Sequence, residues 1–296
     1  MKRRRRELLL GTAASVAAVA SLPAPAIAQG IKEFKMVTSW PKGMPGLDTS
    51  AERLAQTITV LSDSRLKVTV YAAGSLVGPF EVFDAVAASV ADMYHATDYY
   101  FEAKSPALNF FAAVPYGLTG DELCVWIGFG GGQAVWDEVD AEFNIKPLMA
   151  LNTGVQMGGW YSKEVNRPQD YKGLRYRMPG LGVEVLRRMG AEAVTIPGAD
   201  IIGALKSGAI DGSEWVGPWV DMDLGLDKAA DYYYYPGFHE PGMNSTLGIN
   251  KTLWDGLTAS ERALIEAAAQ AEVTRSLAEF NAEPTSGSRS CGSTTS

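Results

Sequence analysis

From residue 33 onward the chain alternates strand-like and helix-like stretches, and that rhythm limits the folds open to it. "EFKMVTSW" (33–40) is rich in β-formers and stops at Pro41. Asp48 is placed to cap a helix carrying Leu54, Ile58 and Leu61 on one face. "LKVTVY" (66–71) alternates apolar and polar residues, as a half-buried strand does. Pro79 is expected to open a helix with Val82, Val86 and Val90 in line. "DMYHATDYYF" (92–101) reads as the next strand and its exit loop. A βαβαβ order predicts an α/β fold with a mostly parallel sheet covered by helices.

A second block starts near residue 150. "KPLMALNTG" (146–154) and "GGWYSKEV" (158–165) are strand-like, and "LRYRMPG" (174–180) alternates Leu174, Tyr176 and Met178 with Arg175 and Arg177. The helix "LGVEVLRRMG" closes at Gly190, Pro197 starts "PGADIIGALKSG", and Gly208 stops it. Glu214 and Trp215 of "DGSEWVG" then fall at the end of a βαβ unit, where open α/β sheets bind ligands. Tyr232–Tyr235 is expected to be a packed strand. Thr258 and Glu261 are spaced as a capping box for a last helix over 259–282. The polar, low-complexity tail 284–296 is expected to be disordered.

Residues 1–28 are predicted to be an export signal cut after Ala28: a basic start, an apolar run and "AIA" before Gln29. Arg5, Arg6, Glu7, Leu8 and Leu9 resemble the twin-arginine pattern, with a Sec signal as the alternative. No later stretch approaches a transmembrane span. The chain carries 26 Lys and Arg against 34 Asp and Glu; removing residues 1–28 takes five basic residues and Glu7, leaving 21 against 33, a net −12. Such acidity argues against nucleic acid as a partner, and an anionic ligand would need a local counter-charge. Cys124 and Cys291 form no metal or redox spacing, and Cys124 is expected to be a small buried apolar residue.

Signatures of catalysis are thin. The two histidines, His95 and His239, stand in no metal-ligand spacing, and no G-x-S-x-G elbow is present. "GFGGG" (128–132) has Gln133 where a dinucleotide loop needs glycine; inside a helical pattern it reads as a close packing contact. Binding residues are richer. Arg177, near a strand end, suits bidentate capture of a carboxylate, although a strand arginine is commonly just ion-paired. Gln156, Glu214 and Glu240 supply oxygens, the ligand type of hard cations such as Ca²⁺ or Na⁺. A carboxylate solute facing two glutamates would be repelled unless a cation joined it. Two glutamates, a monoanion and Arg177 sum to −2, which favours a divalent ion.

"YAAGSLVGPFEVFDAVAAS", "YKGLRYRMPGLGVEVLRRMGA" and "LKSGAIDGSEW" resemble the extracytoplasmic solute receptors of tripartite ATP-independent periplasmic (TRAP) transporters over about residues 33–282. "NTGVQMGGWY" and "EWVGPW" through "GFHEPG" are similar to the branch that binds 2-oxo and 2-hydroxy monocarboxylates such as pyruvate and lactate. The resemblance implies a two-domain, periplasmic-binding-protein-like fold. Each domain has a mixed sheet flanked by helices, and hinge strands and a long helix join the two. It implies a first domain over 31–153 plus about 242–258, a second over 154–241, and a bridging helix over 259–282. Arg177 would grip the solute carboxylate, with Gln156, Trp215 and Tyr100 also at the solute and Trp40 as a pocket wall or a core residue. Ca²⁺ or Na⁺ would be held by Gln156, Glu214, the Trp215 carbonyl and Glu240.

The implied partners are a small organic acid and the transporter's membrane subunits, and the implied location is the periplasm. Relatives continue past residue 282 with helices that help homodimers form. Here a Ser/Gly/Thr tail reads as a truncated or frameshifted end, which leaves the dimer open. The competing readings are a receptor for another anion (a dicarboxylate, a sugar acid or ectoine), a secreted metal-assisted enzyme with Glu214 as base, and a nonfunctional truncated copy.

Overall fold

The computed structural model describes residues 30–283, so the export signal and the polar tail lie outside the described residues. Ten strands are formed there: β1 (Lys32–Thr38), β2 (Leu66–Tyr71), β3 (Met93–Ala96), β4 (Ile145–Asn152), β5 (Gly159–Tyr161), β6 (Arg175–Arg177), β7 (Glu192–Val194), β8 (Gly212–Ser213), β9 (Tyr232–Tyr234) and β10 (Asn244–Asn250). They make two five-stranded sheets, ordered β2-β1-β3-β10-β4 and β7-β6-β8-β5-β9.

Both sheets follow one scheme. Three strands run parallel (β2, β1, β3 and β7, β6, β8), and then two junctions are antiparallel. The sheets are thus mixed, where the alternation alone predicts mostly parallel ones. β10 enters its sheet from the second lobe and β5 enters its sheet from the first, so each runs against the strands that local βαβ crossovers built.

One face of the first sheet packs Phe34, Met36, Leu247 and Ile249 against Leu54 and Ile58 of the helix Asp48–Leu61 and Ile265 of the helix Ala259–Ala282. The other face buries Val37, Val82, Phe83, Tyr94 and Phe101. The second lobe has its own core of Tyr161, Leu174, Tyr176, Met178 and Leu186. A further cluster joins the lobes: Trp40, Leu47, Tyr99 and Leu151 meet Ile201, Trp215, Val216 and Val220, with Phe280 of the long helix among them. The lobes are therefore closed on one another.

Some local expectations need correction. The residue before the first helix is Leu47, and Asp48 instead accepts a hydrogen bond from the Gly43 amide at 2.7 Å, because a turn from Met44 already leads into the helix. The helix expected from Pro79 spans Val82–Ala87, leaving Val90 outside it and exposed. "GFGGG" breaks the pattern it was expected to continue: Gly131 has a positive φ between the helices Gly120–Phe129 and Gly132–Ala141. Cys124 is half-buried beside Met149. The Thr258–Glu261 capping box forms as expected. Among the described residues no helix is long and apolar enough to cross a membrane.

Candidate functional site

Strand register brings the central pair together. β6 and β8 are parallel with Arg177 opposite Ser213, and the next amide, Glu214 N–H, donates to the Arg177 carbonyl at 3.2 Å. Arg177 and Glu214 therefore leave adjacent strands at the same end, where the following loops turn away. The neighbouring β5 closes on them only through Gly159. Its φ is +105°, and a Cβ there would lie 2.1 Å from the Tyr176 hydroxyl and 2.8 Å from Glu214 Cα.

Two segments carry the chain between the sheets, 153–158 after β4 and 235–243 before β10. They run side by side. Thr153 N–H donates to the Met243 carbonyl (3.0 Å), Gln156 N–H to the Glu240 carbonyl (3.1 Å), and Gly237 N–H to the Gln156 carbonyl (2.9 Å). Gln156, His239 and Glu240 thus sit on the crossovers, while Arg177, Glu214 and Trp215 come from the second lobe.

All six of these residues are buried. Arg177 Nη1 donates to Glu214 Oε1 in a short contact and to the Glu214 carbonyl at 3.2 Å; Arg177 Nε donates to the Ile196 carbonyl at 3.2 Å. The guanidinium also lies 5.0 Å from the Trp215 ring centroid, a cation–π contact. The second oxygen of Glu214 is 3.2 Å from His239 Nε2. Burial works against the charge on Arg177, but Glu214 and the nearby hydroxyls of Tyr100 and Tyr99 outweigh it and raise its pKa. Glu240 is pushed well above the usual carboxylate range by burial and by Glu214, with Arg177 opposing. Burial pushes the Tyr100 hydroxyl up to about 12, again against Arg177, so it stays a neutral donor.

Besides His239 Nδ1, what remains unpaired falls into two chemical kinds. Arg177 Nη2 and Trp215 Nε1 are buried donors without a hydrogen-bond partner among the described residues. Gln156 Oε1 and both Glu240 carboxylate oxygens are buried acceptors in the same condition. Each such orphan costs about 1–3 kcal/mol, so this number in one place marks a site built for something other than stability. The donors match an anion and the acceptors match a cation.

The structure brings Gln156, Arg177, Glu214, Trp215 and Glu240 into one buried region. Tyr100 lies on its first-lobe side, half-buried against Trp40 and Phe80. Trp40 is a core residue whose indole N–H donates to His95 Nδ1 at 2.8 Å. Sequence reasoning missed His239. One ligand atom each from Glu214, His239 and Glu240 lie within 4.8 Å of one another, a grouping that spans 26 positions and follows no local spacing motif. The only signal was its adjacency to Glu240. A surface cleft of about 670 Å³ lies elsewhere, along Phe110, Tyr116 and Trp126, and is lined by none of these residues.

The model of the bacterial extracellular solute-binding protein family 7 (DctP) matches residues 36–288. This chain belongs to that family. It is 44% identical over 224 residues to the monocarboxylate 2-oxoacid-binding periplasmic protein of Nostoc sp. (strain PCC 7120); the match covers 76% of this chain and 61% of that protein's length. Among solved structures it is similar to a TRAP transporter solute-binding protein from Bordetella bronchiseptica with copurified calcium and picolinate. The TM-score is 0.86 and the identity 34%, covering 88% of this chain and 77% of that one. A TRAP periplasmic solute-binding protein from Pseudoalteromonas atlantica with bound sodium and pyruvate matches with a TM-score of 0.85 at 31% identity, covering 88% and 79%. One from Colwellia psychrerythraea with calcium and pyruvate has a TM-score of 0.85 at 30% identity, with the same coverage. The two-domain α/β architecture is that of these family members.

Proposed function

We propose that this chain is the periplasmic solute receptor of a TRAP-type secondary transporter. In this reading it captures a small 2-oxo or 2-hydroxy monocarboxylate together with Ca²⁺ or Na⁺ and presents it to membrane subunits. The observation that carries the reading is the set of buried groups left without partners: donors on Arg177 and Trp215, acceptors on Gln156 and Glu240. The ligands of the Nostoc, Pseudoalteromonas and Colwellia relatives support the solute class.

Arg177 anchors the solute carboxylate, since a guanidinium offers parallel N–H groups to two oxygens. The Trp215 indole N–H and the Tyr100 hydroxyl serve its remaining oxygens. Gln156, Glu214, Glu240 and the Trp215 carbonyl would hold the cation; their oxygens suit a hard ion. When bound, the cation neutralises the glutamates and lends a positive contact to the solute's oxygens. The residues themselves are shut away from solvent, so solute enters when the crossovers flex and the lobes part. Binding then favours the closed form by its differential affinity for it.

A thermal-shift panel tests this, with pyruvate, lactate, longer 2-oxoacids and C4-dicarboxylates, each with Ca²⁺, Na⁺ or a chelator. A monocarboxylate with its cation is expected to raise Tm, since ligand at one hundred times Kd adds about 2.7 kcal/mol to the native state. Arg177→Ala is expected to weaken that ligand roughly 30-fold or more, as truncating one partner of a buried charge pair costs about 2–5 kcal/mol. No stabilisation by any monocarboxylate with either cation overturns the reading, and so does sustained turnover of the solute.

A further inference from the structure

If Arg177 is the solute's anchor, a carboxylate already sits on it. Glu214 Oε1 takes Nη1, and the Glu214 carbonyl shares that nitrogen at 3.2 Å. Nε is committed to the Ile196 carbonyl, so only Nη2 is unengaged. A solute carboxylate cannot make two parallel bonds to this guanidinium while Glu214 stays in place. Nor can both anions crowd one buried arginine, because their repulsion grows in a low-dielectric interior.

The place Glu214 can turn to is visible. Its other oxygen lies 3.2 Å from His239 Nε2, and one ligand atom each of Glu214, His239 and Glu240 lie within 4.8 Å of one another. Two glutamates brought face to face share a proton or take a cation between them.

We infer that Glu214 occupies the solute's seat on Arg177 and gives it up only by turning to a bound cation, so that acid and cation bind with positive coupling. Glu214 then has two roles: an internal competitor when the site holds no cation, and a cation ligand when it does. The internal pair also offsets the charge of Arg177 in the closed form without solute, leaving Nη2 unpaired. This inference rests on the receptor reading and adds the order of exchange within it.

Calorimetric titration of pyruvate into wild type and Glu214→Gln decides it, in sodium-free buffer with chelator and again with Ca²⁺ or Na⁺. Wild type is expected to bind at least about tenfold more tightly with cation. By reciprocity, pyruvate tightens cation binding by the same factor. Glu214→Gln is expected to move in opposite directions in the two buffers. Without cation it binds pyruvate roughly tenfold more tightly than wild type does, the worth of one charge-assisted contact no longer contested. With cation it binds more weakly than wild type.

A wild type that binds no monocarboxylate with either cation defeats the receptor reading. A wild type that binds with cation, beside a Glu214→Gln that gains nothing without one, defeats only the exchange. Unfolding curves accompany both, and Glu214→Ala repeats the test with no side-chain acceptor left. Loss of cooperative unfolding in both variants would make Glu214 a fixed structural counter-ion and overturn the inference.

Discussion

In the first sheet the strands run for four to eight residues; in the second they run for two or three. The order and directions are the same. The long strands bury aliphatic side chains under two long helices. The short ones are held by aromatic packing: Trp160 stacks on Tyr233 at 4.0 Å and Tyr161 on Tyr176 at 4.5 Å. Short strands reach their loops sooner, so Arg177 and Glu214 sit at strand ends beside the crossovers. The first lobe is the frame, and the second carries the charged groups.

Each lobe also buries a pair of acids, and the pairs differ in the same sense. Asp98 in the first lobe accepts from the Tyr94 hydroxyl at 3.0 Å and the Trp136 indole at 2.9 Å, while both oxygens of Asp140 lack a hydrogen-bond partner among the described residues. Burial raises the pKa of both, and for Asp140 the charge of Asp98 adds to it. No arginine is paired with either among the described ion pairs, whereas Glu214 has Arg177. The first pair is a cost carried within packing; the second is ion-paired through Glu214 to Arg177.

The largest effect expected from breaking this division is on the frame. Leu247→Ala, at a fully buried position of β10, should cost about 2–5 kcal/mol in urea unfolding. Pyruvate affinity of the folded fraction should stay within about twofold, since packing in the frame is distant from the charged groups. A large loss of affinity would show that frame and site are not separable. Next comes Asp140→Asn. A carboxyl whose folded pKa is raised contributes stability that is full below about pH 4 and is lost as pH rises above the ordinary carboxylate range. The variant should flatten that decline and be about 1–3 kcal/mol more stable near pH 8, read from melts across pH 5–9. An unchanged pH profile would mean Asp140 is satisfied in solution.

The smallest effect is expected where the lobes touch. Gly180, at the start of a second-lobe helix, has φ +57°, and a Cβ there would lie 3.1 Å from Tyr99 Cβ and Asn109 Oδ1 of the first lobe. Gly180→Ala should weaken pyruvate binding about fivefold, corresponding to roughly 1 kcal/mol of strain and crowding in the closed form. Equal affinity would show that closure does not depend on this contact.

The Thr258–Glu261 cap and the strand–helix alternation were legible because each depends on neighbours a few positions away, whereas Asp48 does not cap its helix. Thr258 and Glu261 form their box in the structure, and Gln156, Arg177, Glu214 and Glu240 do converge. The direction of β5 and β10 was not legible, because it follows from the chain passing between lobes. His239 escaped notice because no local spacing marks it; its contact is with Glu214, 25 positions earlier.

By itself the sequence determined the α/β class and supplied one buried-site cation and three oxygen-bearing side chains. Only the tertiary structure decided how they meet. Parallel register set Arg177 against Glu214, and lobe closure excluded water from both. That exclusion turns an ordinary ion pair into the buried contact on which the proposed exchange turns. Charge attraction is weak in water and strong in a closed interior, and closure is a property of the whole chain.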